Sequence, residues 1–316
     1  MKSLASGMFA LLLGAVHPAS HPIAPAQELV VCGWDEVFIL NLDGGTDKPR
    51  RTWSWRAAGR ADVPDDFQPL FRSTDDCKPF EGGSKILITS SGSGVAFVDR
   101  VQDRVLFYGR AANAHSADLL PRGRVAVAAS HDRAGKGDRL ILFDLAKSNQ
   151  ELWSDELPWG HGVVWDEPRN LLWALADGDI RAYERRDWES DAPTLRRIAL
   201  IPLPEPGGHE LTPVGGTSLM AISTANRCWL FDRDAKTFRP HPQLGDKAKI
   251  KSISHHPAGG PLAYVQAESS WWAERIHFLN PPGTLHVPGE HFYKARWIAA
   301  GKGSDRGQTV RPRSDP

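Results

Sequence analysis

The sequence predicts an all-β protein, a six-bladed β-propeller closed by its own last strand, and three observations point there. An apolar strand ending in Asp, Asn or Glu recurs six times along the 316 residues. A second unit, a polar residue leading through a turn into another strand, precedes the first at nearly constant spacing. The two ends of the chain supply complementary parts of one such unit. Gly at 29, Pro at 24 and Trp at 12 suit many turns and aromatic-rich strands better than long helices.

The first unit occupies 37–41, 95–99, 140–144, 180–184, 228–232 and 276–280. Its closing residues, Asn41, Asp99, Asp144, Glu184, Asp232 and Asn280, are 58, 45, 40, 48 and 48 positions apart. Asp or Asn at a strand end can bond its own backbone and open a tight turn. Gly44-Gly45 and Pro281-Pro282-Gly283 then mark two of those turns. In the second unit His115, His161 and His209 each stand ten residues before a strand beginning at Val125, Leu171 and Leu219. Asp76 stands ten before Ile86, and Lys251 eleven before Leu262. Each repeat thus holds four short strands in about 40–48 residues, the length of a propeller blade. One four-stranded sheet cannot bury both faces, but blades stacked around an axis bury each other.

The chain enters at Glu28-Leu29-Val30-Val31, already the second strand of a blade. Residues 294–298 read as the missing first strand, and pairing the two closes the ring and removes a sheet edge. Residues 57–74 form a long insertion between blades one and two, and a degenerate seventh blade there is the alternative.

Ahead of the propeller, Lys2 precedes an apolar stretch, 8–16, too short to span a bilayer. Ala24-Pro25-Ala26 is a small-x-small cleavage pattern. These features predict a signal peptide over 1–26, a single propeller domain over 27–298 and a disordered tail over 299–316, with the mature protein secreted or periplasmic. No later segment is long and apolar enough for a membrane span. Lys+Arg and Asp+Glu are both 38, and removing Lys2 leaves 37 against 38. That balance argues against a nucleic-acid groove. Hydrophobic residues at 41% suffice for a core, and a monomer is expected. Cys32, Cys77 and Cys228 show no CxxC spacing, and their expected place is in buried strands. An exported protein can join two of them, and the sequence does not select which.

In a propeller the first strand of each blade lines the axis. The residues opening those strands are Asp76, His115, His161, His209, Lys251 and Lys294, so six polar side chains are expected at one rim. Loops on that face contain Trp34, His131, Gln266, Glu268, Trp271 and Trp272. Clustered titratable groups in a pocket mark a site. His115, His161 and His209 are the candidate catalytic residues, as general bases or acids. They are also the candidate ligands of a divalent metal ion. Lys251 and Lys294 suit a carboxylate. Trp271 and Trp272 suit a sugar face. This chemistry predicts an acidic carbohydrate or other small anionic ligand and, as a reaction, proton abstraction beside a uronate carboxylate. A non-catalytic propeller that binds a glycan or a protein is the alternative. No GxSxG elbow, Walker A loop, HExxH or dinucleotide fingerprint occurs.

The segments Asp75-Asp76-Cys77-Lys78-Pro79, Asn113-Ala114-His115-Ser116-Ala117, His161-Gly162-Val163-Val164-Trp165-Asp166, Gly207-Gly208-His209-Glu210-Leu211, Lys251-Ser252-Ile253-Ser254 and Tyr293-Lys294-Ala295-Arg296-Trp297 carry a resemblance. The chain resembles, over roughly 28–298, a bacterial β-propeller domain family of unknown function. With it, Lys78 and Arg296 join Asp76, Gln266 and Glu268 as candidate substrate-binding residues. More distantly it is similar to the propeller polysaccharide lyases, such as oligogalacturonate lyase and the rhamnose–glucuronate lyases. Those use axial His and Arg, often beside a divalent ion, so the resemblance implies elimination on an acidic sugar.

Overall fold

Apolar residues run through whole strands, and the structure explains why: each blade has a neighbour on both faces. In the first blade Leu29 and Val31 pack toward the sixth blade, while Val30 and Cys32 pack toward the second. In the third, Val125, Val127 and Ala129 face the second blade and Ala126 and Ala128 face the fourth. Successive side chains leave opposite faces of a strand, so burial on both faces gives an unbroken apolar run rather than an alternating one. Six apolar clusters result among the described residues, one in each gap between blades.

The computed structural model describes residues 27–299. The expected signal segment 1–26 and residues 300–316 of the expected tail lie outside the described residues. Blade one contains β1 (Glu28–Gly33), β2 (Glu36–Asn41) and β3 (Arg50–Trp55). Blade two contains β4 (Thr74–Phe80), β5 (Lys85–Ser90), β6 (Gly94–Asp99) and β7 (Arg104–Arg110). Blade three contains β8 (Ala114–Leu120), β9 (Arg124–Ala129), β10 (Arg139–Asp144) and β11 (Glu151–Glu156). Blade four contains β12 (Gly162–Asp166), β13 (Leu171–Leu175), β14 (Asp179–Arg186) and β15 (Thr194–Pro202). Blade five contains β16 (Glu210–Pro213), β17 (Leu219–Ser223), β18 (Cys228–Asp232) and β19 (Thr237–Pro240). Blade six contains β20 (Ile250–Ser254), β21 (Leu262–Gln266), β22 (Arg275–Leu279) and β23 (Gly283–His286).

The last strand, β24 (Lys294–Trp297), pairs antiparallel with β1 and completes blade one in the order β24-β1-β2-β3. This is the closure the sequence predicts. The inner strands touch in a complete circuit, β24 to β4, β8, β12, β16, β20 and back to β24. The insertion between β3 and β4 holds only turns and a short 3-10 segment, Gln68–Phe71, so the ring has six blades and not seven. Phe71 from that segment packs edge-on against Trp55 and fills the gap between blades one and two.

The acidic strand ends do what their chemistry suggests. Asp99 accepts from the backbone N–H of Val101 and Gln102, Asp144 from Ala146, and Asp232 from Asp234 and Ala235. Each carboxylate satisfies turn donors that no ladder partner could reach. Cys32, Cys77 and Cys228 are all buried as free thiols. Among the described residues no helix is long and apolar enough to cross a membrane.

Candidate functional site

Each blade is a simple antiparallel meander. The segments entering the inner strands and the loops leaving the second strands therefore share one face. On that face the inner strands present a polar ring, and β-bulges set its register. The pairing of β4 with β5 slips by one residue at Asp75, that of β8 with β9 at His115, and that of β20 with β21 at Lys251. A bulged residue is free of the ladder and its side chain is re-aimed. His161 and His209 stand just before β12 and β16, anchored by N–H bonds to Leu175 O at 3.0 Å and Ser223 O at 2.8 Å. Tyr293 stands just before β24, its N–H bonded to Cys32 O at 2.9 Å.

The ring thus consists of Asp75, His115, His161, His209, Lys251 and Tyr293. The imidazoles of His115 and His161 have centroids 4.3 Å apart, and those of His161 and His209 4.5 Å apart. Asp75 Oδ1 lies 3.8 Å from His115 Nε2. Nε2 of His209 is 3.1 Å from Lys251 Nζ and 2.9 Å from the Tyr293 hydroxyl. The sequence register puts Asp76 and Lys294 in this ring. The structure puts their neighbours Asp75 and Tyr293 there instead, because the alternation of a regular strand does not reveal a bulge or a strand start.

Asp76 and Lys294 belong to a layer beneath the ring, together with Lys78 and Arg296. Arg296 donates to Asp76 Oδ1 at 2.6 Å and to Glu210 Oε1 at 3.0 Å. Lys294 Nζ lies 3.3 Å from Glu210 and 3.8 Å from Asp76. Ser116 Oγ adds a bond to Asp76. Lys78 donates to Val163 O and lies 3.6 Å from Asp118. All six charged groups are buried, so this layer is a sealed ionic floor in which each charge has a partner.

Burial disfavours the charged form of a group, and partners restore it. Burial raises Asp76, but Arg296 and then Lys294 overcome it and hold the carboxyl well below the usual range. Burial lowers Lys78. In the ring above, His161 and His209 are pushed well below the usual imidazole range, first by burial and then by the neighbouring imidazole. Lys251 is pushed down to about 8 by burial, then by the charge on Lys294. Burial raises Tyr293 and Asp75. Within the ring, burial thus favours the neutral imidazoles of His161 and His209 and the neutral hydroxyl of Tyr293, and Lys251 is an amine near its titration point.

Three tryptophans surround this end of the axis. Trp34, in the turn between β1 and β2, is 53% exposed, Trp159, two residues before His161, is 49%, and Trp271, between β21 and β22, is 61%. Lys251 Nζ sits 4.7 Å over the Trp271 ring. Trp272 is half-buried, edge-on to Trp34 at 5.7 Å and 5.5 Å from Tyr293. His131 stacks on Trp159 at 4.5 Å. Gln266 and Glu268 are occupied within their own blade: Gln266 donates to Ala248 O, and Glu268 accepts from Arg275 and from the Glu274 N–H. Asp75, Tyr293 and Trp159 are the residues of this face that the sequence reading misses. The Asp75-Asp76 pair and the spacing of Trp159 from His161 are the only local signals for two of them.

The histidines do not fit the divalent ion expected of them. Among the described residues no three His, Cys, Asp or Glu side chains stand where they could share a metal. His115 and His161 turn Nδ1 onto the carbonyls of Asn113 and Trp159 at 2.9 and 2.7 Å. A carbonyl only accepts, so both Nδ1 atoms carry protons. Nε2 of His209 meets two donors instead of an open coordination position.

Known proteins place the fold. A chain from the crystal structure of a nidogen/laminin complex superposes with a TM-score of 0.59 at 12% identity, covering 87% of this chain and 99% of its own. At that identity the likeness shows the architecture alone. No curated protein matches the chain. The profile of a family of unknown function, DUF6528, matches residues 26–306. The chain, a six-bladed propeller over almost all of that span, belongs to this family of unknown function.

Proposed function

We infer that this is an exported propeller that binds an acidic carbohydrate at the tryptophan-rimmed mouth of its axis. One observation carries the reading: Trp34, Trp159 and Trp271, all about half exposed or more, rim the end of the axis where His161, His209 and Lys251 converge. Exposed indoles keep an apolar face wet, which costs free energy unless a ligand covers it. The C–H face of a sugar suits that surface. The imidazole nitrogens beneath suit hydroxyl groups, and Lys251, mostly protonated at pH 7, suits a carboxylate. Another small anionic ligand bearing hydroxyl groups would satisfy the same groups. Export rests on the Lys2-led apolar stretch and Ala24-Pro25-Ala26.

Elimination on a uronate is the second reading, and the contact of His209 with both Lys251 and Tyr293 favours it. Lys251 or His209 would take the proton, and Tyr293 would protonate the leaving oxygen. Binding takes precedence because an enediolate needs cations nearby. Lys294, expected with Lys251 as the carboxylate clamp, and the neighbouring Arg296 are already held by Asp76 and Glu210.

The test is a titration of the mature chain with uronate and neutral oligosaccharides, following heat and the absorbance of an unsaturated uronate together. The reading predicts saturable binding that prefers the uronates. New absorbance would promote the second reading. No binding across a broad panel would overturn both.

A further inference from the structure

We propose that Lys251 is a nucleophilic amine that captures an aldehyde entering the mouth of the axis, such as the open-chain form of a sugar, as an imine. Three lysines are buried among the described residues, Lys78, Lys251 and Lys294. Lys78 is paired with Asp118, and Lys294 with Glu210 and Asp76. Lys251 makes no ion pair among the described residues. Its Nζ is held between the Nε2 of His209 at 3.1 Å and the face of Trp271 at 4.7 Å. A bulge, not the regular ladder, aims it there. Asp75 of the same ring acts on its charge, but from outside ion-pair distance. An amine desolvated beside an acceptor and an aromatic face, with no carboxylate in contact, is the setting in which lysine becomes a nucleophile.

The neighbours supply the proton transfers that imine formation needs. The lone pair of Nζ attacks the carbonyl carbon, a C–N bond forms as the C=O π pair moves onto oxygen, Tyr293 protonates that oxygen, and the nitrogen passes one of its two protons through His209 back to Tyr293. The carbinolamine then loses water: its hydroxyl leaves with a proton from Tyr293, and the nitrogen lone pair forms the C=N bond. The nitrogen gives up its remaining proton to His209. Tyr293, 2.9 Å from His209 Nε2, recovers a proton from that imidazole. The balance is one amine and one aldehyde giving one imine and one water, with no oxidant or reductant. A lysine with a pKa of about 8 has roughly one-tenth of its amine free at pH 7. An ordinary lysine has less than about one part in a thousand free.

The aldehyde's being a sugar rests on the binding reading above, whereas the reactivity of Lys251 does not. The experiment incubates the mature chain at pH 7 with cyanoborohydride and either D-glyceraldehyde or D-glucuronate, and maps reduced adducts by peptide mass spectrometry. The expected result is an adduct on Lys251 at least about tenfold ahead of every exposed lysine. Tyr293→Phe, which keeps the ring packing, should slow trapping about tenfold or more. Lys251 reacting no faster than exposed lysines would overturn the proposal, and it needs no variant to fold. If Lys251 traps glyceraldehyde but not glucuronate, the nucleophile stands and the acidic-sugar reading fails. If neither aldehyde is trapped while uronate oligosaccharides still bind, the nucleophile fails and the binding reading stands.

Discussion

Nε of Arg296 lies 2.6 Å from Oδ1 of Asp76, although 220 positions of chain separate them. One residue comes from the strand that closes the ring and the other from the second blade. Their contact ties closure to the ionic floor that supports the polar ring, so a single pair serves both stability and the site.

Removing that guanidinium leaves a buried carboxylate with an incomplete partner set. Lys294 remains, but 3.8 Å from Asp76 and already shared with Glu210. Arg296→Met should therefore cost about 3–5 kcal/mol, measured by urea unfolding. A loss below about 1 kcal/mol would show that the floor does not hold the ring together.

Acid should weaken the fold through His161. Burial lowers its pKa in the folded protein, so the unfolded chain takes up the proton first as pH falls below the ordinary value of 6.5. Stability from this residue is complete above pH 6.5 and declines as pH falls toward the folded value. His161→Asn should flatten the decline between pH 7.5 and 5.5 by at most about 1.4 kcal/mol per pH unit. Parallel curves for the two proteins would mean that His161 takes up its proton at the same pH in the folded and the unfolded chain.

Closure also depends on a close approach at Gly33. A Cβ there would fall 1.6 Å from the carbonyl oxygen of His291, on the segment that leads into β24. The backbone must move to admit even a methyl group. Gly33→Ala should cost about 1–3 kcal/mol and lower Tm by several degrees, roughly 2–4 °C per kcal/mol. An unchanged Tm would mean that the entry to the last strand is loosely held.

Trp271 should matter to ligand and not to fold. It is 61% exposed and belongs to no apolar cluster, so Trp271→Ala should change stability by less than about 0.5 kcal/mol. Its ring covers the Lys251 amine, and removing it should expose that amine to solvent and raise its pKa toward the ordinary lysine range. Titration of the amine by NMR checks this.

The blades were legible in the sequence because burial on both faces turns a strand such as 125–129 into an unbroken apolar run. Asp99, Asp144 and Asp232 marked where those runs end, and the half-blades at 28–31 and 294–298 announced closure. The site was legible only to within one residue. Regular alternation cannot reveal a bulge, so the sequence pattern points to Asp76 rather than Asp75, and to Lys294 rather than Tyr293. The error matters chemically, since in each pair one residue faces the ring and the other lies in the sealed floor. Glu210 and Asp118 were invisible for a different reason. Nothing local distinguishes a buried, paired acid from a solvated one until the cations opposite it are known.

The central claim is that the axial mouth binds an acidic sugar through Trp271 and Lys251. Isothermal titration of a uronate oligosaccharide into the mature chain, Trp271→Ala and Lys251→Met tests it most directly. The account predicts saturable binding that weakens at least about tenfold in each variant while circular dichroism stays unchanged. Equal affinity in all three proteins would place the ligand elsewhere and contradict it.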